Sequence, residues 1–160
     1  MIVVADASPL RYLVLIECSG VLPKLYGGVF VPPAVIAELR QERTPPIVQA
    51  WMSETPTWLH VHGPTRTIAP LNAMLGPGEL AAIALAEELA ADALLMDDRD
   101  GRAEAEGRGL AVVGTLRVLA DAATHGFVDL ASAVDRLRQT NFRASEQLIQ
   151  LLLERSRRRP

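Results

Sequence analysis

Short apolar runs that stop abruptly at a polar residue alternate along this chain with segments whose apolar positions recur at helical spacing. Ile2-Val3-Val4-Ala5 is apolar on both faces and ends at Asp6, the pattern of a buried parallel strand. Ser8-Pro9 predicts a helix opening, with the hydroxyl as cap and proline at the first helical position, and Leu10, Leu13, Val14 and Cys18 follow at helical spacing. Gly27-Gly28 breaks the chain before a second strand, Val29-Phe30-Val31, and Pro32-Pro33 starts a helix in which Glu38 stands among the apolar Val35, Ile36 and Leu39. Residues 41–77 are rich in proline and the least legible; a short helix over 47–52 and a strand over 58–62 are the elements they admit. Beyond Gly76-Pro77-Gly78, Glu79 opens an alanine-rich helix over 80–90. Ala93-Leu94-Leu95-Met96 is a strand that ends at Asp97-Asp98, and a polar helix over 102–108 leads to a strand over 110–113. Three helices follow, near 116–124, 129–138 and 146–153, the last capped by Ser145.

Strands alternating with helices predict an α/β sandwich with a mainly parallel sheet flanked on both faces. The 160 residues suit one domain with a core of its own. Because 49% of them are hydrophobic and only 4% aromatic, that core is aliphatic, and intrinsic disorder is excluded. The one cysteine, Cys18, makes no internal disulfide and builds no thiolate metal site, which fits a reducing cytoplasm. No apolar run reaches the length that spans a bilayer and no targeting segment is visible, so the expectation is a cytoplasmic protein with no membrane partner.

The net charge of −3 is unevenly spread: residues 136–160 hold seven arginines against Glu146 and Glu154, and the body of the chain is correspondingly acidic. An acidic body with a basic end suits a carboxylate-lined site beside a segment that meets a polyanion, although the run from Arg155 to Arg159 by itself reads as a flexible, solvated end.

Position is what makes the acidic residues informative. Asp6 follows the first strand and Asp97-Asp98 follow the strand over 93–96, and open parallel sheets bind ligands beyond the carboxyl ends of their strands. Carboxylates gathered there repel one another unless a cation offsets the charge. Mg²⁺ or Mn²⁺ does so with oxygen ligands and retained waters, and such a centre polarises a phosphodiester and generates a nucleophilic water. Taken singly, each residue also has an ordinary structural role. Asp6 suits a helix cap, Glu79 a first helical turn, and Asp97 to Gly101 a solvated turn. His60 and His62 alternate on one strand but have no third nitrogen or sulfur ligand near them in sequence, so they read as surface residues. A phosphate-binding loop and a serine nucleophile elbow are absent.

Four segments, in order, carry a resemblance: Val4-Ala5-Asp6-Ala7-Ser8-Pro9-Leu10; Val29-Phe30-Val31-Pro32 through Glu38-Leu39; Gly78-Glu79-Leu80 through Ala86; and Leu94-Leu95-Met96-Asp97-Asp98-Arg99-Asp100-Gly101-Arg102. Over roughly residues 1–120 the chain resembles PIN-domain ribonucleases, and is similar to VapC-type toxins and to the PIN-like nucleic-acid-binding branch, which Gly114-Thr115-Leu116 also fits. The resemblance implies a single PIN-like three-layer domain over 1–160. It implies a catalytic acid set of Asp6, Glu38, Glu79 and Asp98, with Asp6, Glu79, Asp97 and Asp98 as metal ligands and Ser8 arranging the water shell. Glu79 stands where many members have aspartate, and Met96 stands where many have threonine, which aligns Asp98 with the main ligand. The implied activity is a Mg²⁺- or Mn²⁺-dependent endoribonuclease, the toxin of a type II toxin–antitoxin pair. The partners implied are RNA, an antitoxin whose helix lies in an apolar groove anchored by Trp51 and Trp58, and a second copy in a homodimer. The alternative is a catalytically silent PIN-fold module that binds nucleic acid or protein.

Overall fold

The central strands form here, though only three residues long, because their β-branched and aliphatic residues are covered on both faces, which a sheet between helices provides. The computed structural model describes residues 1–69 and 74–158. Its strands are β1 (Val3–Ala5), β2 (Val29–Val31), β3 (Leu59–Val61), β4 (Ala93–Leu95) and β5 (Val112–Val113). The sheet order is β3-β2-β1-β4-β5 and every pairing is parallel, with Val4 opposite both Phe30 and Leu94. The α/β sandwich expected from the sequence is therefore observed, and the sheet is parallel throughout rather than mainly so.

The helices are α1 (Ala7–Leu15), α2 (Val21–Tyr26), α3 (Pro33–Leu39), α4 (Pro46–Ser53), α5 (Pro77–Glu88), α6 (Arg99–Gly107), α7 (Thr115–Thr124), α8 (Leu130–Arg138) and α9 (Glu146–Arg157). On one side α5 packs on β1 and β4 and against α6; on the other α1 meets α7, which packs on α8 and α9. Helix α3 touches both α1 and α5, and so closes the end of the sheet where β2 delivers the chain.

Local differences from the sequence reading have local causes. Helix α1 begins at Ala7, so Ser8 is not its cap and Pro9 lies in the first turn, where its missing N–H costs nothing. Helix α2 was not expected; it is short and carries Pro23 in its first turn. Helix α6 starts three residues before the expected Arg102, because Asp98 caps it by accepting from the Gly101 N–H at 2.8 Å. Helix α9, capped by Ser145 as expected, continues through Arg157, so Arg155 belongs to the helix, while Arg159 of the basic end lies outside the described residues. No helix among the described residues is long and apolar enough to cross a membrane.

The order of the strands reverses at β1: the chain moves outward through β2 and β3, then returns to β4 on β1's other side. The carboxyl end of β1 is thus the switch point of the sheet, where neighbouring connections leave towards opposite faces and a crevice opens. Val3, Val4, Leu94 and Leu95 are fully buried around it. Truncating one of them leaves a void that so tightly enclosed a site cannot close. The variant Leu94→Ala is expected to lose about 3 kcal/mol of unfolding free energy in urea titration; a loss under about 1 kcal/mol would show that β4 is not enclosed as described.

Candidate active site

Each acidic side chain reaches the crevice by a different route. Asp6 is the residue after β1, and its backbone N–H still donates to the Leu95 carbonyl at 2.9 Å, which fixes it against β4. Glu38 lies in the last turn of α3 and Glu79 in the first turn of α5; the close packing of these two helices brings both to the crevice. Asp98 follows β4 and stands at the head of α6. Burial grades outward: Asp6 is 3% exposed, Glu38 and Glu79 are half-buried, and Asp98 is exposed.

Asp6 is the decisive residue. It occupies the position before α1, yet its side chain makes no capping bond, and its Oδ1 is a buried oxygen without a hydrogen-bond partner. A buried acceptor left unsatisfied costs about 1–3 kcal/mol, and native structures rarely keep one without use. Burial pushes its pKa up to about 7; the Ala7 amide draws it back in part, and the charges of Glu79, Glu38 and Asp98 raise it further. Glu79 is raised as well, first by burial, with Asp98 and Glu38 adding to the effect against the bond from the Gly76 N–H to its Oε2. The four carboxylates therefore share one electrostatic environment, and it is short of positive charge.

Glycine keeps the space between them open. A Cβ on Gly78 would stand 3.4 Å from Glu38 Oε2 and 3.7 Å from Asp6 Oδ1, so any larger residue would put carbon between the two oxygens. Among the described residues, no three His, Cys, Asp or Glu side chains converge as a closed metal cage would require. The donor set is all oxygen, open on the Asp98 side, and includes an orphaned carboxylate oxygen. It fits an ion such as Mg²⁺ that takes one or two carboxylates and keeps its waters, not a closed Zn²⁺ site.

The adjacent pair after β4 divides its work. Asp97 turns to α7: its Oδ1 accepts from the Thr115 N–H at 2.8 Å and its Oδ2 from the Thr115 hydroxyl at 2.6 Å. Burial raises its pKa, the two Thr115 bonds lower it, and Arg102 and Arg11 lower it further. Gly114 leaves room beside it: a Cβ there would sit 2.8 Å from Arg102 Nη1 and 3.2 Å from Asp97 Oδ1, so the guanidinium would have to move away. Both Asp97 oxygens are thus occupied within the protein, whereas Asp98 commits only Oδ2, to Gly101. Ser8 is half-buried in the first turn of α1 beside Asp6, and Asp100 lies in the first turn of α6.

The other sequence candidates lie apart from the crevice. His60 on the outer strand β3 and His62 just beyond it are exposed and pack against Phe30, with ring centroids at 5.3 and 6.3 Å. Trp51 and Trp58 are half-buried and rest on each other, centroids 6.0 Å apart. Two basic residues that the acidic pattern left unremarked, Arg11 and Arg102, act on Asp97. The signal that could have found them is their place one to two helical turns beyond Asp6 and one beyond Asp98.

A raised carboxyl pKa has a signed consequence. Asp6 holds a proton in the folded chain up to about pH 7 but loses it near 3.8 when unfolded, so the stability that its burial supports is full below 3.8 and is lost as pH rises through 7. Without divalent ions, the thermal midpoint is expected to fall steadily between pH 4.5 and 8. Asp6→Asn should flatten that slope and stabilise the chain at pH 8 by up to about 4 kcal/mol. Scanning calorimetry in EDTA across that range checks this, and a wild-type midpoint that does not fall would overturn it.

Comparison with known proteins agrees with this architecture. The pattern of the PIN domain family DUF3368 matches residues 2–158. A solved structure, a PilT N-terminus domain protein SSO1118 from the hyperthermophilic archaeon Sulfolobus solfataricus P2, superposes with a TM-score of 0.55 over 76% of this chain and 93% of its own at 19% identity, a likeness of fold. No curated protein matches the sequence. PIN domains are generally nucleases that use divalent metal ions and bind nucleic acid. With a parallel sheet whose switch point gathers carboxylates, and with a family pattern running from its second residue almost to its last, the chain belongs to the PIN domain family.

Proposed function

We propose that this chain is a divalent-metal-dependent endoribonuclease and the toxin of a type II toxin–antitoxin pair. The observation that carries the nuclease reading is the buried, unpartnered Oδ1 of Asp6 at the switch point, inside the field of Glu38, Glu79 and Asp98. Asp6, with Asp98 or Glu79 as a second carboxylate, would hold the Mg²⁺ or Mn²⁺, and the remaining carboxylate would meet the ion through a retained water. The bound ion would polarise the scissile phosphodiester and lower the pKa of a water for in-line attack. Glu38, whose Oε2 faces the same gap beside Gly78 as Asp6 Oδ1, is placed to accept a proton there. Asp97 acts as a positioning residue: by clamping the start of α7 it fixes the backbone at the end of β4, and with it the aim of Asp98. Ser8, beside Asp6, is available to orient water.

RNA cleavage tests this directly. Wild-type protein should cut RNA with Mg²⁺ or Mn²⁺ and stop in EDTA, and Asp6→Asn or Glu38→Gln should each lower the rate at least about a hundredfold. Cleavage unaffected by chelator or by Asp6→Asn would refute the mechanism. The absence of a closed three-residue cage among the described residues favours a second reading, a catalytically silent PIN module, and tight RNA binding without any cleavage would be its signature.

The partners proposed with the toxin role are an antitoxin and a second copy. An antitoxin that sets an apolar helix in a groove near Trp51 and Trp58 and brings an arginine to the four carboxylates would compete with the metal. The charge-deficient crevice supports such a counter-ion. Light scattering at micromolar concentration should return twice the chain mass for a homodimer, and the mass of one chain would exclude it.

A further inference from the structure

A groove between β5, the start of α7 and the C-terminal helix α9 plays no part in the chemistry above. It encloses about 400 Å³, within the range of pockets that hold small organic groups. Its floor is apolar, built from Val113, Phe142, Leu148 and Leu151. Leu148 and Leu151 are 43% and 45% exposed, on a helix whose Ile149 and Leu153 already serve the core. Its rim is cationic, with Arg102, Arg117, Arg143 and Arg155, and Asp97 is its one acidic side chain among the described residues.

These arginines are only partly neutralised. Arg117 pairs with Asp121 at 3.0 Å, and Arg102 is engaged by the charge of Asp97 and by the Met96 carbonyl at 3.3 Å, while exposed Arg143 and Arg155 have no ion-pair partner among the described residues. In a chain with a net charge of −3, this much free positive charge around an apolar floor selects a particular occupant. The ligand must carry negative charge at its edge and a flat apolar body. An unpaired nucleotide does: its phosphates meet the arginines and its base lies on the apolar and aromatic floor. A duplex keeps its bases stacked inside and offers the rim only phosphates. The groove is lined by Asp97 and Thr115 at the end of β4, and Asp97 is the residue before Asp98 of the carboxylate crevice, so the two sites are neighbours along the chain.

We propose that this groove is a subsite for unpaired nucleotides of the RNA flanking the cleaved bond, so that the chain selects single-stranded segments. The proposal rests on the nuclease reading for the direction in which the strand continues, but its test does not depend on cleavage. Anisotropy of a fluorescent single-stranded oligoribonucleotide, measured in EDTA over a salt series, compares wild type with Arg143→Ala/Arg155→Ala and with Leu148→Glu/Leu151→Glu, and the same oligonucleotide annealed into a duplex serves as the second ligand. Wild type should prefer the single strand. Each double variant should weaken its binding about tenfold or more at an unchanged melting temperature, and the arginine variant, which removes two cations, should reduce the salt slope by about 1.4. Wild-type affinity in both variants, or equal binding of duplex and single strand, would overturn the proposal. A change in sedimentation of the leucine variant with RNA binding intact would overturn it too, by assigning the face to a second copy of the chain. Should the nuclease reading alone fail, wild type would not cleave with Mg²⁺ while these binding differences persisted.

Discussion

Carboxylates held close together where water cannot screen them repel one another, and the open end of this sheet is built around that repulsion. Asp6 bears most of it, because it is both the most buried of the four and the one whose Oδ1 finds no donor. The fold offsets the cost with dipoles rather than with cations. Asp6 stands before the amino end of α1, Glu79 in the first turn of α5 and Asp98 at the head of α6, where helix termini favour negative charge. Each such terminus is worth at most about 1–2 kcal/mol, so the four charges remain under-compensated; the raised pKa of Asp6 reflects its burial first and these neighbouring charges second.

Two neighbouring aspartates show how one strand end serves both scaffold and chemistry. Asp97 gives both oxygens to Thr115 and so ties β4 to the start of α7, with Gly114 leaving room for the Arg102 guanidinium above it. Because that clamp is complete, Asp98 emerges at the next position with a fixed backbone and one oxygen bound to α6. Exchanging the two roles would require the crevice to face the β5 side, where arginines rather than carboxylates line the groove.

Most of this plan was legible in the chain because it depends on abrupt transitions. Apolar runs ending at Asp6 and at Asp97 mark strand ends whatever the rest of the sequence does, and helices with clear openings, such as α5 after Gly76-Pro77, follow from capping rules. Illegible parts depend on contacts distant in sequence. Helix α2 carries too few residues for its period to register, and it is fixed by packing on α7, almost a hundred residues on. The start of α6 hinged on whether Asp98 or Asp100 would cap it, and local sequence allows both. Proximity of Glu38 to Asp6 follows from α3 packing on α5 around Gly78, for which no local pattern exists. The resemblance aligned Asp98 with the main ligand, but the clamp that holds Asp97 was invisible, since it depends on Thr115 on another element.

The anchoring of these carboxylates also bears on which cation the proposed chemistry would use. Glu79 gives Oε2 to the Gly76 amide and Asp98 gives Oδ2 to the Gly101 amide, while both Asp97 oxygens already accept from Thr115. The crevice therefore offers few direct oxygens that are wholly free, and pulling a capped oxygen off its amide to reach an ion costs about 1 kcal/mol. Ca²⁺, which takes six to eight oxygen ligands, would need those caps broken or many waters in their place. Mg²⁺ and Mn²⁺ ask less of the protein, because one or two carboxylates suffice and substrate phosphate oxygens complete the shell. Caps that hold the helices in place thus also limit the number of protein ligands. That limit leaves coordination positions open to a phosphodiester, and this is the property the proposed hydrolysis requires.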